Sequence, residues 1–184
     1  MIIGLTGYAQ SGKDTVANIL VEDYGFTRIA FADKIRDLLF EMDPPVPMGY
    51  GLEAHVVGLR NYVEIYGWDR AKQNPIVRSM LQNLGVGART VFGDNHWIVE
   101  ALKSIDREQN YVITDVRFKN EAEWLTDIYN AEIWRVVRPG IEAVNNHISE
   151  HDLDGYKADS VFDNDGTLED LKRLVEFKMS RYDN

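Results

Sequence analysis

Cysteine is absent from the 184 residues, so disulfides and thiolate metal sites are excluded. That absence agrees with a reducing cytoplasm, which is the expected location. No apolar run approaches the roughly 18–20 residues of a membrane span, so no membrane partner is expected. The chain enters an apolar run at once, with no basic stretch or cleavage signal before it, so secretion is not expected. Basic residues are in deficit, 20 against 30 acidic, for a net charge of −10. A general binder of long nucleic acid more often has the opposite balance, so no polynucleotide partner is expected. A small phosphorylated ligand gripped by a few arginines in one cleft remains compatible. Of four histidines, His147 and His151 lie close together among carboxylates, but without the further ligand spacing of a zinc site. No internal repeat and no linker interrupts the chain, and its length suits one domain burying roughly 70% of its unfolded surface.

What is present is concentrated at the N-terminus. Ile2 to Leu5 is an apolar run, Gly7-Tyr-Ala-Gln-Ser-Gly12-Lys13 follows, and Val16, Ile19, Leu20 and Tyr24 recur at helical spacing. The order is buried strand, glycine-bounded turn, helix. The spacing G-x-x-x-x-G-K is that of a phosphate-binding loop. Glycines let successive N–H groups turn inward on an anion, the helix adds its positive end, and Lys13 adds a mobile charge. The residue after the lysine, where Ser or Thr usually holds Mg²⁺, is Asp14, and the hydroxyl comes one place later at Thr15.

Farther along, Thr27 to Ala32 reads as a second strand, and Asp33 stands where it could cap the helix that follows. Lys34 and Arg36 fall near the carboxyl end of that strand, the side on which parallel α/β sheets bind ligands. Residues 43–58 hold three prolines and several glycines and read as a loop on the cleft rim. Three apolar stripes then predict helices: Leu59 to Tyr66, Val77 to Leu84, and Ile98 to Ile105. Arg78 and Gln82 share a helix face. Gly85 and Gly87 are expected to break that helix, with Arg89 beyond the bend and Arg70 in the preceding turn. Trp97 is either a stacking surface or a core tryptophan. Tyr111 to Val116 is a third strand ending in Asp115, a carboxylate able to hold a metal's water shell, and Arg117 and Lys119 lie in the next turn. Ala131 to Val137 is a fourth strand, ending at Arg138. The polar stretch Asn145 to Asp152 reads as a flap. Ala158 to Asp163 is a fifth strand, and Thr167-x-x-Asp170 a capping box for a last helix.

Strands alternating with helices predict an α/β fold with a mostly parallel, doubly covered sheet, here a P-loop fold. The residue inventory suits phosphoryl transfer, which asks the protein to position and neutralise more than to form bonds. Lys13 and the loop would hold the donor, Asp14, Thr15 or Asp115 would manage Mg²⁺, and arginines would fix the acceptor. No Ser-His-Asp or Cys-His set competes for a catalytic role.

Taken in order, these marks resemble the bacteriophage-type deoxynucleoside monophosphate kinases, P-loop relatives of adenylate kinase and dephospho-coenzyme A kinase. The marks are Gly12-Lys13-Asp14-Thr15, Phe31-Ala-Asp33-Lys34, Arg78-x-x-Leu-Gln82-x-Leu-Gly85 with Arg89 and Trp97, Thr114-Asp115-Val-Arg117-Phe-x-Asn120-Glu121, Arg138-Pro139, His147-Ile-Ser149-Glu150 and Asn164-Asp-Gly166. The resemblance covers most of the chain. It implies a three-layer P-loop fold with a five-stranded parallel sheet, a helical monophosphate-binding insertion and a lid. It implies transfer of the γ-phosphate of ATP, with Mg²⁺, to a deoxynucleoside 5′-monophosphate. Residues 1–184 would be one kinase domain, with 59–106 as the acceptor-binding region and 139–156 as the lid. Gln10, Ser11, Gly12, Lys13, Asp14 and Thr15 would lie at the ATP phosphates. Lys34, Arg70, Arg78, Gln82, Arg89 and Trp97 would lie along the acceptor. Lys13, Asp115, Arg117 and Arg138 would serve the transfer, and Asp14, Thr15 and Asp115 the Mg²⁺, partly through water. A homodimer is compatible with the general frequency of such assemblies. Two alternatives stay open on sequence: a kinase of another small acceptor such as dephospho-coenzyme A, and a nucleotide-dependent switch. The Asn-Lys-x-Asp motif usual in GTPase switches is missing.

Overall fold

The computed structural model describes residues 1–48, 55–103, 105–144 and 146–182. In chain order the elements are β1 (Ile2–Thr6), α1 (Lys13–Tyr24), β2 (Thr27–Ile29), α2 (Phe31–Met42), β3 (Pro45–Met48), β4 (His55–Gly58), α3 (Leu59–Ala71), α4 (Pro75–Phe92) and α5 (His96–Leu102). They continue with β5 (Tyr111–Ile113), α6 (Lys119–Tyr129), β6 (Glu132–Val137), α7 (Ile148–His151), β7 (Ser160–Asp163) and α8 (Leu168–Met179). The chain forms two compact units, one of Met1–Phe31 with Leu102–Asn184, the other of Ala32–Ala101.

The first unit is a five-stranded sheet in the order β2-β5-β1-β6-β7. Every pairing in it is parallel, so each strand must return over a face of the sheet. Alternation along β1 divides the two faces. Ile3 and Leu5 point to one side, with Val112, Trp134 and Val136, and are covered by Val16, Ala17 and Leu20 of α1 and Leu171, Val175 and Met179 of α8. Gly4 points to the other side, where a Cβ would lie 2.9 Å from Ile133 and 3.3 Å from Leu125 of α6, so glycine sets how closely that helix packs. Both faces are covered, as a parallel sheet requires. The five strands and the three-layer arrangement are those expected from sequence. The capping box is present too: Thr167 and Asp170 satisfy each other's backbone N–H at the start of α8.

The second unit has its own core of Leu39, Val46, Leu59, Ala71 and Val77. Two expectations fail here. The proline-rich stretch forms an antiparallel pair, β3 with β4, in which Pro45 opposes Gly58 and Pro47 opposes Val56. A two-stranded ribbon leaves one edge of each strand outward, and prolines aligned on that edge forfeit no ladder bond. Residues 49–54 of the expected loop lie outside the described residues. Nor do Gly85 and Gly87 break a helix, since α4 runs unbroken through both. The irregular glycine is Gly67 inside α3, with φ 71°. The cap of α2 also differs from expectation. That helix starts at Phe31, two residues before Asp33, and its first N–H donates to Asp115 Oδ1 at 2.8 Å.

Candidate active site

The glycines at the end of β1 are there for space as well as backbone freedom. A Cβ on Gly7 would lie 2.2 Å from the Val136 carbonyl oxygen, and one on Gly12 would lie 2.5 Å from Asn164 Nδ2. Both have positive φ, 134° and 108°, and Gln10 between them stands at 66°. The loop is thus pressed against β6 on one side and the turn after β7 on the other, in a conformation few side chains tolerate. It delivers the chain into α1, whose first-turn N–H groups have no acceptor within the helix. Asp14 lies in that first turn.

Lys13 folds back over the loop. Its Nζ donates to the carbonyls of Gly7 at 2.7 Å and Tyr8 at 2.6 Å. Burial first, and the nearby Arg117 guanidinium second, draw its pKa from the ordinary 10.5 down to about 8, against the opposing pull of Asp14, Glu150 and Asp115. Two arginine-and-lysine charges and three carboxylates therefore meet at this loop. Ser11 is 1% exposed, and its Oγ has no hydrogen-bond partner among the described residues. An orphaned buried hydroxyl is costly, and here it lines a cavity.

That cavity has a volume of about 340 Å³. Thr6, Gly7, Tyr8 and Ser11 form its loop side, Arg117, Arg135 and Arg138 its cationic wall, and Ser149, Glu150 and Asp154 the opposite edge. Segment 147–154 closes it through specific contacts. Arg117 Nη1 donates to Glu150 Oε1 at 2.7 Å, Lys119 N–H to Asp152 at 2.7 Å, and the Tyr8 hydroxyl to Asp154 at 2.9 Å. That last bond raises the pKa of Tyr8. Arg135 donates to the carbonyls of Leu153, Asp154 and Tyr156, which ties the end of the segment to β6. The turn that presents Arg117 is fixed by buried Glu121, which accepts from the N–H groups of Arg117 at 2.8 Å and Phe118 at 3.1 Å. The expected flap is therefore a short helix, α7, held by its neighbours. Asn145 of that expected stretch lies outside the described residues.

Of the residues singled out on sequence, Ser11, Arg117 and Arg138 line this cavity, and Lys13, Asp14 and Asp115 are close enough for their charges to interact. Asp115 also has a structural task as the acceptor at the start of α2. Tyr8, Arg135, Glu150, Asp154 and Asn164 carry contacts here that sequence reasoning did not assign. Arg135 had a signal: it stands between buried Trp134 and Val136 in β6, where an arginine is out of character unless a specific contact holds it.

Gln10 and Gly12 belong to the loop itself and Thr15 to the first turn of α1, and the remaining candidates belong to the second unit. Arg78, Gln82, Gly85 and Arg89 are spaced along one face of α4. Gly85 puts no side chain on that face and is itself buried, and Ile35 of α2, next to Lys34, reaches within 3.2 Å of where its Cβ would be. Arg78 Nε donates to the Lys72 carbonyl at 3.3 Å, Arg70 stacks on the Tyr66 ring at 4.9 Å, and Lys34 pairs with Asp37 at 3.6 Å. Trp97 is 5% exposed and its indole N–H donates to the Gly85 carbonyl at 2.9 Å, so it is the core tryptophan of the two readings.

The sequence model of the deoxynucleotide monophosphate kinase family matches residues 53–175. The chain belongs to that family. It is a kinase, and its reaction is phosphoryl transfer to a deoxynucleoside monophosphate. A protein of Acanthamoeba polyphaga mimivirus provisionally named deoxynucleotide monophosphate kinase is 28% identical over 93% of this chain and 92% of its own length. The deoxynucleotide monophosphate kinase of Escherichia phage RB69 is 33% identical over 54% of this chain and 43% of its own. Among solved structures, dephospho-CoA kinase from Campylobacter jejuni aligns over 98% of this chain and 96% of its own, with 14% identity and a TM-score of 0.49. The matched family region begins at residue 53, beyond the turn from Gly7 to Lys13. No helix among the described residues is long and apolar enough to cross a membrane.

Proposed function

We propose that the first unit takes ATP with Mg²⁺ as donor and that the second takes the deoxynucleoside 5′-monophosphate as acceptor, within one kinase domain spanning 1–184. The observation that carries the donor assignment is Lys13. Its charge is largely removed from solvent, and its hydrogen bonds among the described residues go to two neutral carbonyls. A phosphate at the loop offers anionic oxygens instead, and charge-assisted bonds are about twice as strong. The first-turn N–H groups of α1 at Lys13, Asp14 and Thr15 add the helix's positive end. The Gln10, Ser11 and Gly12 backbone wraps the anion, and the Ser11 hydroxyl gains the partner it now lacks.

The donor set around the loop fits a hard cation: Asp14, Asp115 and Thr15 offer carboxylate and hydroxyl oxygens. Those residues would hold Mg²⁺, directly or through water, and the ion supplies neutralisation of the phosphate charge. Arg117 and Arg138 cover the charge that builds on the migrating phosphoryl group. When Arg117 turns to the phosphate it leaves Glu150, so ligand binding exchanges one ion pair for another and loosens one of the contacts that hold segment 139–156, the lid of this reading. Closure excludes water, which would otherwise compete as acceptor.

On the acceptor side, Arg78, Gln82 and Arg89 form a polar stripe that grips phosphate and sugar, with Lys34 and Arg70 as flanking cations. Region 59–106 is the acceptor-binding part in this reading, and Trp97 supports the stripe from beneath through Gly85.

The test is ADP release from Mg·ATP with each of the four deoxynucleoside monophosphates, AMP and dephospho-coenzyme A, with the phosphorylated product identified. Release driven by one or more deoxynucleotides is expected, and sedimentation of the same preparation distinguishes monomer from homodimer. Release driven only by dephospho-coenzyme A would overturn the acceptor assignment, and slow release indifferent to every acceptor would overturn the reaction.

A further inference from the structure

We infer that Asn164, in the turn after β7, is a positioning residue that sets the phosphate loop for its anion; the inference rests on the donor reading above. Asn164 is held at its backbone, where its N–H donates to the Val137 carbonyl at 2.7 Å. Just after it, the Thr167–Asp170 capping box starts α8, and Leu171 enters the core. From this fixed point its Nδ2 donates to the Ser11 carbonyl at 2.9 Å, across 153 residues of sequence.

The consequence follows from the planarity of the peptide. In a trans peptide the carbonyl and the next N–H point in opposite directions, and no peptide in the described residues is cis. Holding the Ser11 carbonyl toward Asn164 therefore turns the Gly12 N–H away from it. That N–H sits between the loop and the first turn of α1, where an anion is to be received. Gly12 has no side chain to resist the rotation, and its φ of 108° is costly for other residues. The same amide lies where a Cβ on Gly12 would go, 2.5 Å from it. Asn164 thus fills the space that glycine leaves and uses it to fix one peptide. It touches no reacting atom and acts through the loop.

The test measures binding of tripolyphosphate, which has no base or sugar, and of ATP to the wild type and to Asn164→Ala and Asn164→Asp. Kinetics and melting temperature are followed in the same preparations. Losing one hydrogen bond that orders a binding loop is expected to weaken both ligands by about tenfold, and by the same factor for each. The KM for the acceptor is expected to stay constant. Asn164→Asp keeps the size and backbone bond of the residue but sets a carboxylate against the Ser11 carbonyl, so it carries the test if Asn164→Ala melts early. A loss for ATP alone would assign Asn164 to the base or sugar and overturn the inference. Unchanged affinity for both ligands, with or without a fall in melting temperature, would overturn it as well. A wild type that binds neither ligand would instead overturn the donor reading beneath it.

Discussion

Two pairs of glycines look alike in the sequence and behave oppositely in the fold. Gly7 and Gly12 bracket the phosphate loop with positive φ, and each is pressed against a neighbour that a methyl group would strike. Gly85 and Gly87 sit inside α4 with helical backbone, and the second has nothing within 4 Å of where its Cβ would be. The first pair makes a backbone that only glycine can make. The second interrupts nothing, because the hydrogen bonds and packing of α4 outweigh the roughly 1 kcal/mol that each helical glycine costs. What a glycine does is decided by what surrounds it. The contrast extends to the units: the loop is fixed by contacts from β6 and the turn after β7, whereas the proposed acceptor stripe is a row of side chains on one helix.

The largest expected effect breaks the loop's chemistry without its geometry. Lys13→Ala is expected to reduce kcat/KM for ATP by about a thousandfold, on the scale of losing a preorganised donor to the transition state. It should not lower the melting temperature, because the buried ammonium is a burden on the fold. Near-normal turnover would remove Lys13 from the donor site. Gly7→Ala breaks the geometry instead. Its methyl cannot fit beside the Val136 carbonyl, so about a hundredfold loss in kcat/KM for ATP is expected, with destabilisation on the order of 2–4 kcal/mol. A variant that melts and turns over like the wild type would show that the loop tolerates what the geometry forbids.

Arg89→Ala carries the comparison to the other unit. Removing one charged hydrogen-bond donor from the stripe is expected to raise the acceptor KM about tenfold or more and to leave the KM for ATP unchanged. Equal effects on both substrates would dissolve the division of labour between the units.

The pH dependence is specific to Lys13. Its folded pKa of about 8 lies below the ordinary 10.5, so the fold favours the neutral amine. Wild-type stability should therefore rise relative to Lys13→Ala as pH increases from about 8 toward 10.5, because the unfolded chain binds the extra proton there. Binding has the opposite sign, since phosphate needs the ammonium, so kcat/KM for ATP should fall as pH rises through about 8. Arg117→Gln removes a positive charge that depresses this pKa, so the inflection should move up. A downward shift, or none, would separate Arg117 from the loop.

The strand, glycine turn and helix at the N-terminus were legible because they are local: the three are contiguous, and glycine spacing reports backbone shape directly. The five parallel strands and the cap of α8 were legible for the same reason. Contacts that join distant segments left no such trace. Asp115 caps α2 from 84 residues away, which moved the helix start from Asp33 to Phe31. Asn164 reaches Ser11 over a longer separation still, and Arg135, whose place in an apolar strand hinted at a contact but not at its partner, is tied to the end of the α7 segment. The β3–β4 ribbon escaped notice because proline forbids a central strand but not an outward edge. The shared face of the proposed stripe was half legible, since Arg78 and Gln82 are four apart on any helix, but Arg89 joins them only if the glycines between do not bend it.

That condition sets the smallest and sharpest test. Gly87 lies on the side of α4 opposite the stripe, nine residues from Arg78 at about 100° each. Its Cβ would enter open space. Gly87→Ala should therefore stabilise the protein by about 0.5–1 kcal/mol, the helix-interior difference between the two residues. For a chain of this length that is a rise of about 1–4 °C in melting temperature, with the kinetics of both substrates unchanged. A fall in stability would mean that α4 needs a break at Gly87, as the sequence alone suggested, and Arg89 would then leave the stripe. A rise would show that the same residue marking a functional loop at one end of the chain is, in α4, a replaceable link in a straight helix.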